Sequence, residues 1–130
     1  MTRLDPLADA LSAIKNAEIV NKKTVYIFPA NKLIKAVLLI LKEHGYIEDF
    51  KSMTLNKKEY IIVHLNGKIH EIGAIKPRFS TGWQDLEGWI RKYLPAYTMG
   101  LLIVSTPKGL KTHIECIKER IGGKLIAYVY

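Results

Sequence analysis

Residues 105–111 read Ser-Thr-Pro-Lys-Gly-Leu-Lys. They hold two hydroxyls (Ser105, Thr106), two ammonium groups (Lys108, Lys111) and a conformationally permissive Gly109. These are donors of the kind that reach phosphate or ribose oxygens. Just upstream, Gly100 is followed by Leu101, Leu102, Ile103 and Val104, the pattern of a strand buried on both faces. Just downstream, Thr112 and Glu115 have capping-box spacing, and Ile114, Ile117 and Ile121 fall on one helical face. The pattern predicts a strand-to-helix turn, with unpaired helix amides beside the hydroxyls. A cation at a helix N-terminus is unfavourable by about 0.3–1 kcal/mol, so Lys108 and Lys111 point to an anion. Lysines facing water from a solvated turn are the other reading, and the loop by itself supports both equally.

Catalytic chemistry finds little support. His113 and Cys116, three apart on one expected helix, form a nucleophile–base pair in principle, but no acid stands nearby to orient the histidine, and a helical cysteine usually acts as a small buried hydrophobe. Ser105 follows a strand, as a hydrolase nucleophile does, yet lacks the flanking glycines of a nucleophile elbow. Neither Gly-x-x-x-x-Gly-Lys-Ser/Thr nor Gly-x-Gly-x-x-Gly occurs. The histidines at 44, 64, 70 and 113 are scattered, and neither Cys-x-x-Cys nor His-Glu-x-x-His is present, so no metal or cofactor is expected.

The composition bears on partners. The chain has 130 residues, long enough for a core, and 48% of them are hydrophobic. Lys+Arg number 20 against 12 Asp+Glu, a net charge of +8, which suits nucleic acid, an acidic protein or an anionic membrane. The longest apolar run, residues 36–41, is far short of the ~20 residues of a membrane span, and no secretory leader is visible. The one cysteine excludes an internal disulfide framework and fits a reducing cytoplasm.

The elements that must position the loop can be read in chain order. Asp5 before Pro6 starts a helix that buries Leu7, Leu11 and Ile14. Lys15 and Asn16 lie off that stripe near its end, placed either to touch an anion or to complement the helix C-terminus. A strand over residues 24–28 stops at Pro29. A second helix is capped by Asn31, buries Leu33, Ile34, Val37, Leu38 and Leu41, and ends at Gly45. Lys32, in its first turn, repeats the charge anomaly. Strands follow over 46–53 and 59–65, the second alternating Tyr60, Ile62 and His64 against Ile61, Val63 and Leu65. Asn66 and Gly67 signal a hairpin before residues 68–72.

Residues 73–82 change to Gly, Pro and basic character and read as the boundary between two halves. There Lys76 and Arg78 are suited to phosphate, and Phe79 to anchoring the loop or packing on a ribose or base. Leu86, Trp89, Ile90 and Tyr93 predict a short amphipathic helix with its aromatics in the core. Gly122 and Gly123 then break the chain, either turning it or admitting another backbone at close range, before a terminal strand over 125–130.

The strand, Ser105-Thr106-x-x-Gly109, the helix, Gly122-Gly123 and a last strand ending in Val129 and an aromatic resemble the C-terminal signature of the small-subunit ribosomal protein eight family. Asp5-Pro6-Leu7-Ala8-Asp9, Ile14-Lys15-Asn16-Ala17 and Pro29-Ala30-Asn31-Lys32 agree with its N-terminal half, so the resemblance spans nearly the whole chain. It implies an α+β fold of two small packed subdomains: an N-terminal αβαββ unit over 1–67, and a mostly β, rRNA-binding unit with short helices over 68–130. It implies a non-enzymatic, cytoplasmic constituent of the small ribosomal subunit. Such a protein is a primary binder of a helix in the central domain of small-subunit rRNA, promotes its assembly, and has other small-subunit proteins as neighbours.

The resemblance places Ser105, Thr106, Lys108 and Gly109 in an irregular minor groove, supported by Gly122 and Gly123, with backbone contacts from Lys15, Asn16, Asn31 and Lys32. That agrees with the wide, shallow minor groove of A-form RNA and its 2′-hydroxyls. Pro107 where the bacterial pattern has Ser, Lys124 where Glu is common, and Tyr130 for Trp, with residues 76–97, resemble the archaeal and eukaryotic branch. Lys124 then becomes a phosphate contact. The alternatives are an RNA-binding regulator acting on messenger RNA, and a small hydrolase or transferase using Ser105 or Cys116.

Overall fold

Two helices and three strands form the first of two compact units, residues 1–70 and 71–130, in a computed structural model that describes residues 6–28, 30–96 and 98–130. Helix α1 (Pro6–Ile19) buries Leu7, Ala10, Leu11, Ile14 and Ala17, the i, i+3, i+4 stripe of an amphipathic helix. The expected cap Asp5 and strand stop Pro29 lie outside the described residues. Strand β1 (Thr24–Ile27) leads to helix α2 (Lys32–Glu43), whose N-cap Asn31 accepts the Ile34 amide on its side-chain oxygen at 2.8 Å. Ile34, Val37, Leu38, Ile40 and Leu41 are buried along it.

Strands β2 (Ile47–Leu55) and β3 (Lys58–Leu65) form a hairpin through Asn56 and Lys57, both left-handed at φ 52° and 64°. Two successive positive φ values mark a turn that matches strand twist. The sheet is antiparallel in the order β1-β3-β2. Along β3, Ile61, Val63 and Leu65 are buried while Tyr60, Ile62 and His64 alternate to the other face.

The second unit is built on strand β8 (Gly123–Val129). It pairs antiparallel with β4 (Ile72–Ala74), β5 (Ser80–Thr81) and β6 (Leu101–Thr106), and β7 (Gly109–Thr112) adds to the far side of β6. Leu101 to Val104 are all buried, as an unbroken apolar run in a central strand requires. Leu102, Val104 and Leu125 pack with Ile75 and with Leu86, Ile90 and Cys116 from helices α3 (Leu86–Tyr93) and α4 (His113–Glu119). Phe79 stacks on Trp89 at 4.9 Å between ring centroids and packs against the same core. It anchors its loop there, and Trp89 and Tyr93 are packing residues too.

Several expectations fail for reasons of tertiary pairing. Residues 73–82 are not the boundary between the halves, which falls between His70 and Glu71: they lie inside the second unit and take part in β4 and β5 of its sheet. Asn66 and Gly67 turn the chain but begin no hairpin, because the next strand, β4, pairs with β8 and not with β3. The loop after Val104 is a β-hairpin rather than a strand-to-helix turn, and α4 starts only at His113.

The capping box of Thr112 and Glu115 is present, but Thr112 is itself buried, which sets the phase of the helix. His113 and Cys116 therefore face the core, Ile114 is 57% exposed, and Arg120 in left-handed conformation ends the helix before Ile121.

His113 is 2% exposed, and its Nδ1 accepts the Leu102 amide at 3.1 Å. That bond needs the neutral ring, and burial pushes its pKa below the ordinary value. A base with a depressed folded pKa stabilises fully above its unfolded value of about 6.5 and loses that contribution as pH falls through the folded value. Urea midpoints should thus hold steady from pH 8 to 7 and decline toward pH 5. In His113→Gln, which keeps an acceptor but cannot titrate, the decline should flatten. An equal decline in both proteins would place the titration elsewhere.

Candidate nucleic-acid interface

The site is set by three neighbouring strands. Lys124 on β8 lies directly opposite Ser80 on β5 and Ser105 on β6, so the three side chains form a row on one face of the sheet. An ammonium group therefore stands between two hydroxyls. Among the described residues, none of the three has a hydrogen-bond or ion-pair partner. The row borders an open hollow of about 550 Å³, lined also by Thr81, Gly82, Asp85, Thr106, Pro107, Gly122 and Gly123.

The paired glycines act through close approach. Neither has a positive φ, but a Cβ on Gly123 would sit on the Ser105 carbonyl oxygen, and one on Gly122 would come within 2.5 Å of the Thr81 carbonyl oxygen. Of the two roles the sequence leaves open, the backbone contact is the one realised.

The hairpin beside the hollow holds itself together. Thr106 Oγ1 donates to the Gly109 carbonyl at 2.7 Å and accepts the Lys108 amide at 3.2 Å. Pro107 supplies a preset φ to the turn, and Gly109 supplies φ 108°, which a residue with a side chain would occupy only under strain. Thr106 therefore spends its proton inside the loop, whereas Ser105 keeps its own. Lys108 stands exposed at the tip without an ion-pair partner among the described residues.

The other expected residues are more dispersed. Lys111 leaves the hollow: its ammonium is held by Glu119 at 3.0 Å, and that bond raises its pKa. Neither Lys108 nor Lys111 lies in a helical turn, so the dipole argument does not apply to them; it stands for Lys32, exposed at the first position of α2. Lys76 and Arg78 are exposed between β4 and β5. In the first unit Asn31 is spent on its cap, Lys15 is half-buried, and Asn16 is exposed beside the hollow between α1 and β1.

Sequence reading missed Ser80, Thr81, Gly82 and Asp85. The register of β5 against β8 brings Ser80 and Thr81 to the hollow, Gly82 and Asp85 follow in the next turn, and a two-residue strand leaves no periodicity to find.

The catalytic alternatives lose their geometry. Cys116 is fully buried and burial pushes its thiol pKa up, while His113 has committed Nδ1 to a backbone amide. No base reaches the Ser105 hydroxyl among the described residues. None of the described helices is long and apolar enough to cross a membrane. The hollow is an open surface of donors with little enclosure, suited to binding.

Comparison with known proteins agrees. The profile of the family Ribosomal protein S8 matches residues 5–130. The small ribosomal subunit protein uS8 of Methanococcoides burtonii is 47% identical over 130 residues, covering 100% of both chains.

Proposed function

The chain belongs to the ribosomal protein S8 family and is a constituent of the small ribosomal subunit; from that premise we propose that it binds the central domain of small-subunit rRNA directly and promotes its assembly. The observation that carries this reading is the row Ser80–Lys124–Ser105 at the border of an open hollow. A wide, shallow minor groove lined with 2′-hydroxyls needs a low protein ridge bearing short donors, so that the backbones approach closely. Ser105 and Ser80 supply the donors, Gly122 and Gly123 let the neighbouring strands close on β8 so that the row aligns, and Lys124 and Lys108 supply the phosphate charge. Lys76 and Arg78 add phosphate contacts in this second unit, and Lys15, Asn16 and Lys32 carry phosphate contacts of their own in the first; such contacts orient the RNA without reading it. Asn31 contributes by fixing the start of α2, and Lys111 by bracing β7 against α4.

The test is affinity for a central-domain transcript at several salt concentrations, against an unrelated hairpin of equal length. With about four phosphates neutralised, log K should fall against log salt with a slope of about −3.6. Lys124→Gln should reduce the slope by about 1 and weaken both RNAs alike. Equal affinity for the two RNAs in the wild-type chain would reduce the surface to a nonspecific basic one and defeat the proposal.

A further inference from the structure

The face of the first unit's sheet that turns away from the buried residues carries aromatic and basic side chains that the reading above does not use. Tyr26 lies opposite Ile62, which lies opposite Lys51, and Met53 lies opposite Tyr60. Tyr26 is 68% exposed and Phe28 51%. Phe28 rests against Tyr60 at 5.0 Å between centroids, with the Lys58 ammonium 5.6 Å from its ring. Asp49 on this face is held by Lys42 at 3.1 Å, with Lys51 also acting on it. At the edge of the sheet a hollow of about 520 Å³ runs between α1 and β1, lined by Asn16, Lys22 and Tyr26 among others.

We propose that this open sheet face binds unpaired RNA nucleotides, with bases stacked on Tyr26 and Phe28 and phosphates held by Lys22, Lys51 and Lys58. Phe28 lies just beyond the end of β1, two residues after Tyr26, and packs on Tyr60 of the same face, so the chain offers two separate rings to splayed bases. Stacking on exposed rings is tolerant of base identity, because every base has a π-face, and a basic border supplies the backbone term. The charge balance favours a polyanion: Asp49 is already neutralised by Lys42 with Lys51 close enough to act on it too, and Lys58 on the same face has no carboxylate partner among the described residues. This site differs in ligand from the hairpin groove, which faces a duplex, and the two fail separately.

The experiment is fluorescence anisotropy of a labelled eight-nucleotide single-stranded RNA of mixed sequence, alone and annealed to its complement, with the full chain at low salt. The single strand should bind in preference to the duplex. Tyr26→Ala should weaken it about tenfold and Tyr26→Phe should retain it, with Ser105→Ala measured beside them to tell the two sites apart. Tyr26 is mostly exposed, so its loss spares the core. Equal affinity for single strand and duplex, or an unaltered affinity in Tyr26→Ala, overturns the proposal. So does loss in Ser105→Ala without loss in Tyr26→Ala, which would move the binding to the hairpin. A Tyr26→Ala effect confined to binding another small-subunit protein would assign the face to a protein and equally overturn it.

Discussion

Gly123→Ala is expected to cost the chain about 3 kcal/mol of stability, the upper end of what an added buried methyl does when nothing can move aside. Its new carbon would lie on the Ser105 carbonyl oxygen, 2.9 Å from the Ser105 carbonyl carbon and 3.1 Å from Val104 Cγ1. Two of those three atoms are backbone, and both belong to the central strand. Relief requires β6 and β8 to part where Val104 meets Leu125 and Ser105 meets Lys124, opening the core at Val104 and Leu125 and breaking the donor row. Gly122→Ala meets the Thr81 carbonyl instead, on a two-residue strand paired only at the end of β8. That strand can yield, so its cost should be nearer 1 kcal/mol, with RNA affinity reduced because Ser80 is displaced. Urea unfolding of both variants measures the difference. A Gly123→Ala protein within about 0.5 kcal/mol of wild type would mean that the strands do not approach as described.

Removing the hydroxyls at 105 and 106 together is expected to lower affinity for the central-domain transcript by about 2 kcal/mol, roughly 30-fold: about 1 kcal/mol from the hydrogen bond that Ser105 gives up and a similar amount from the turn that Thr106 holds. The two halves of that loss should differ in kind. Ser105 Oγ has no partner within the described protein, so Ser105→Ala should weaken RNA binding while the unfolding midpoint stays put. Thr106 Oγ1 ties Gly109 to Lys108, so Thr106→Ala should cost about 1 kcal/mol of stability as well as affinity, by loosening the turn that carries Lys108. Thr106→Ser, which restores the hydroxyl, should recover both. Isothermal titration and urea midpoints on the three variants separate the contributions. If Ser105→Ala bound RNA like wild type, Ser105 would not be a contact.

The sequence by itself determined the local structure and the family. The stripe of α1, the Asn31 cap, the alternation along β3, the buried run at 101–104 and the Thr112–Glu115 capping box all depend on residues within a few positions of one another. Short-range periodicity and capping chemistry report them directly. Spaced motifs at both ends carried the family, and with it the Ser-Thr loop and the paired glycines as the place to look.

Only the tertiary structure decided which residues share the site. Ser80 and Ser105 are 25 positions apart in sequence, and they become neighbours of Lys124 because β5 and β6 flank β8. Pairing also decided that the Ser-Thr loop closes a hairpin, that Thr106 is spent within it, and that Lys111 turns to Glu119. It decided, too, that Gly122 and Gly123 are small for the sake of a neighbouring backbone rather than for a turn. Periodicity along a chain tells which face of a strand is buried; which strand lies beside it, and how near, is fixed by packing between segments distant in sequence.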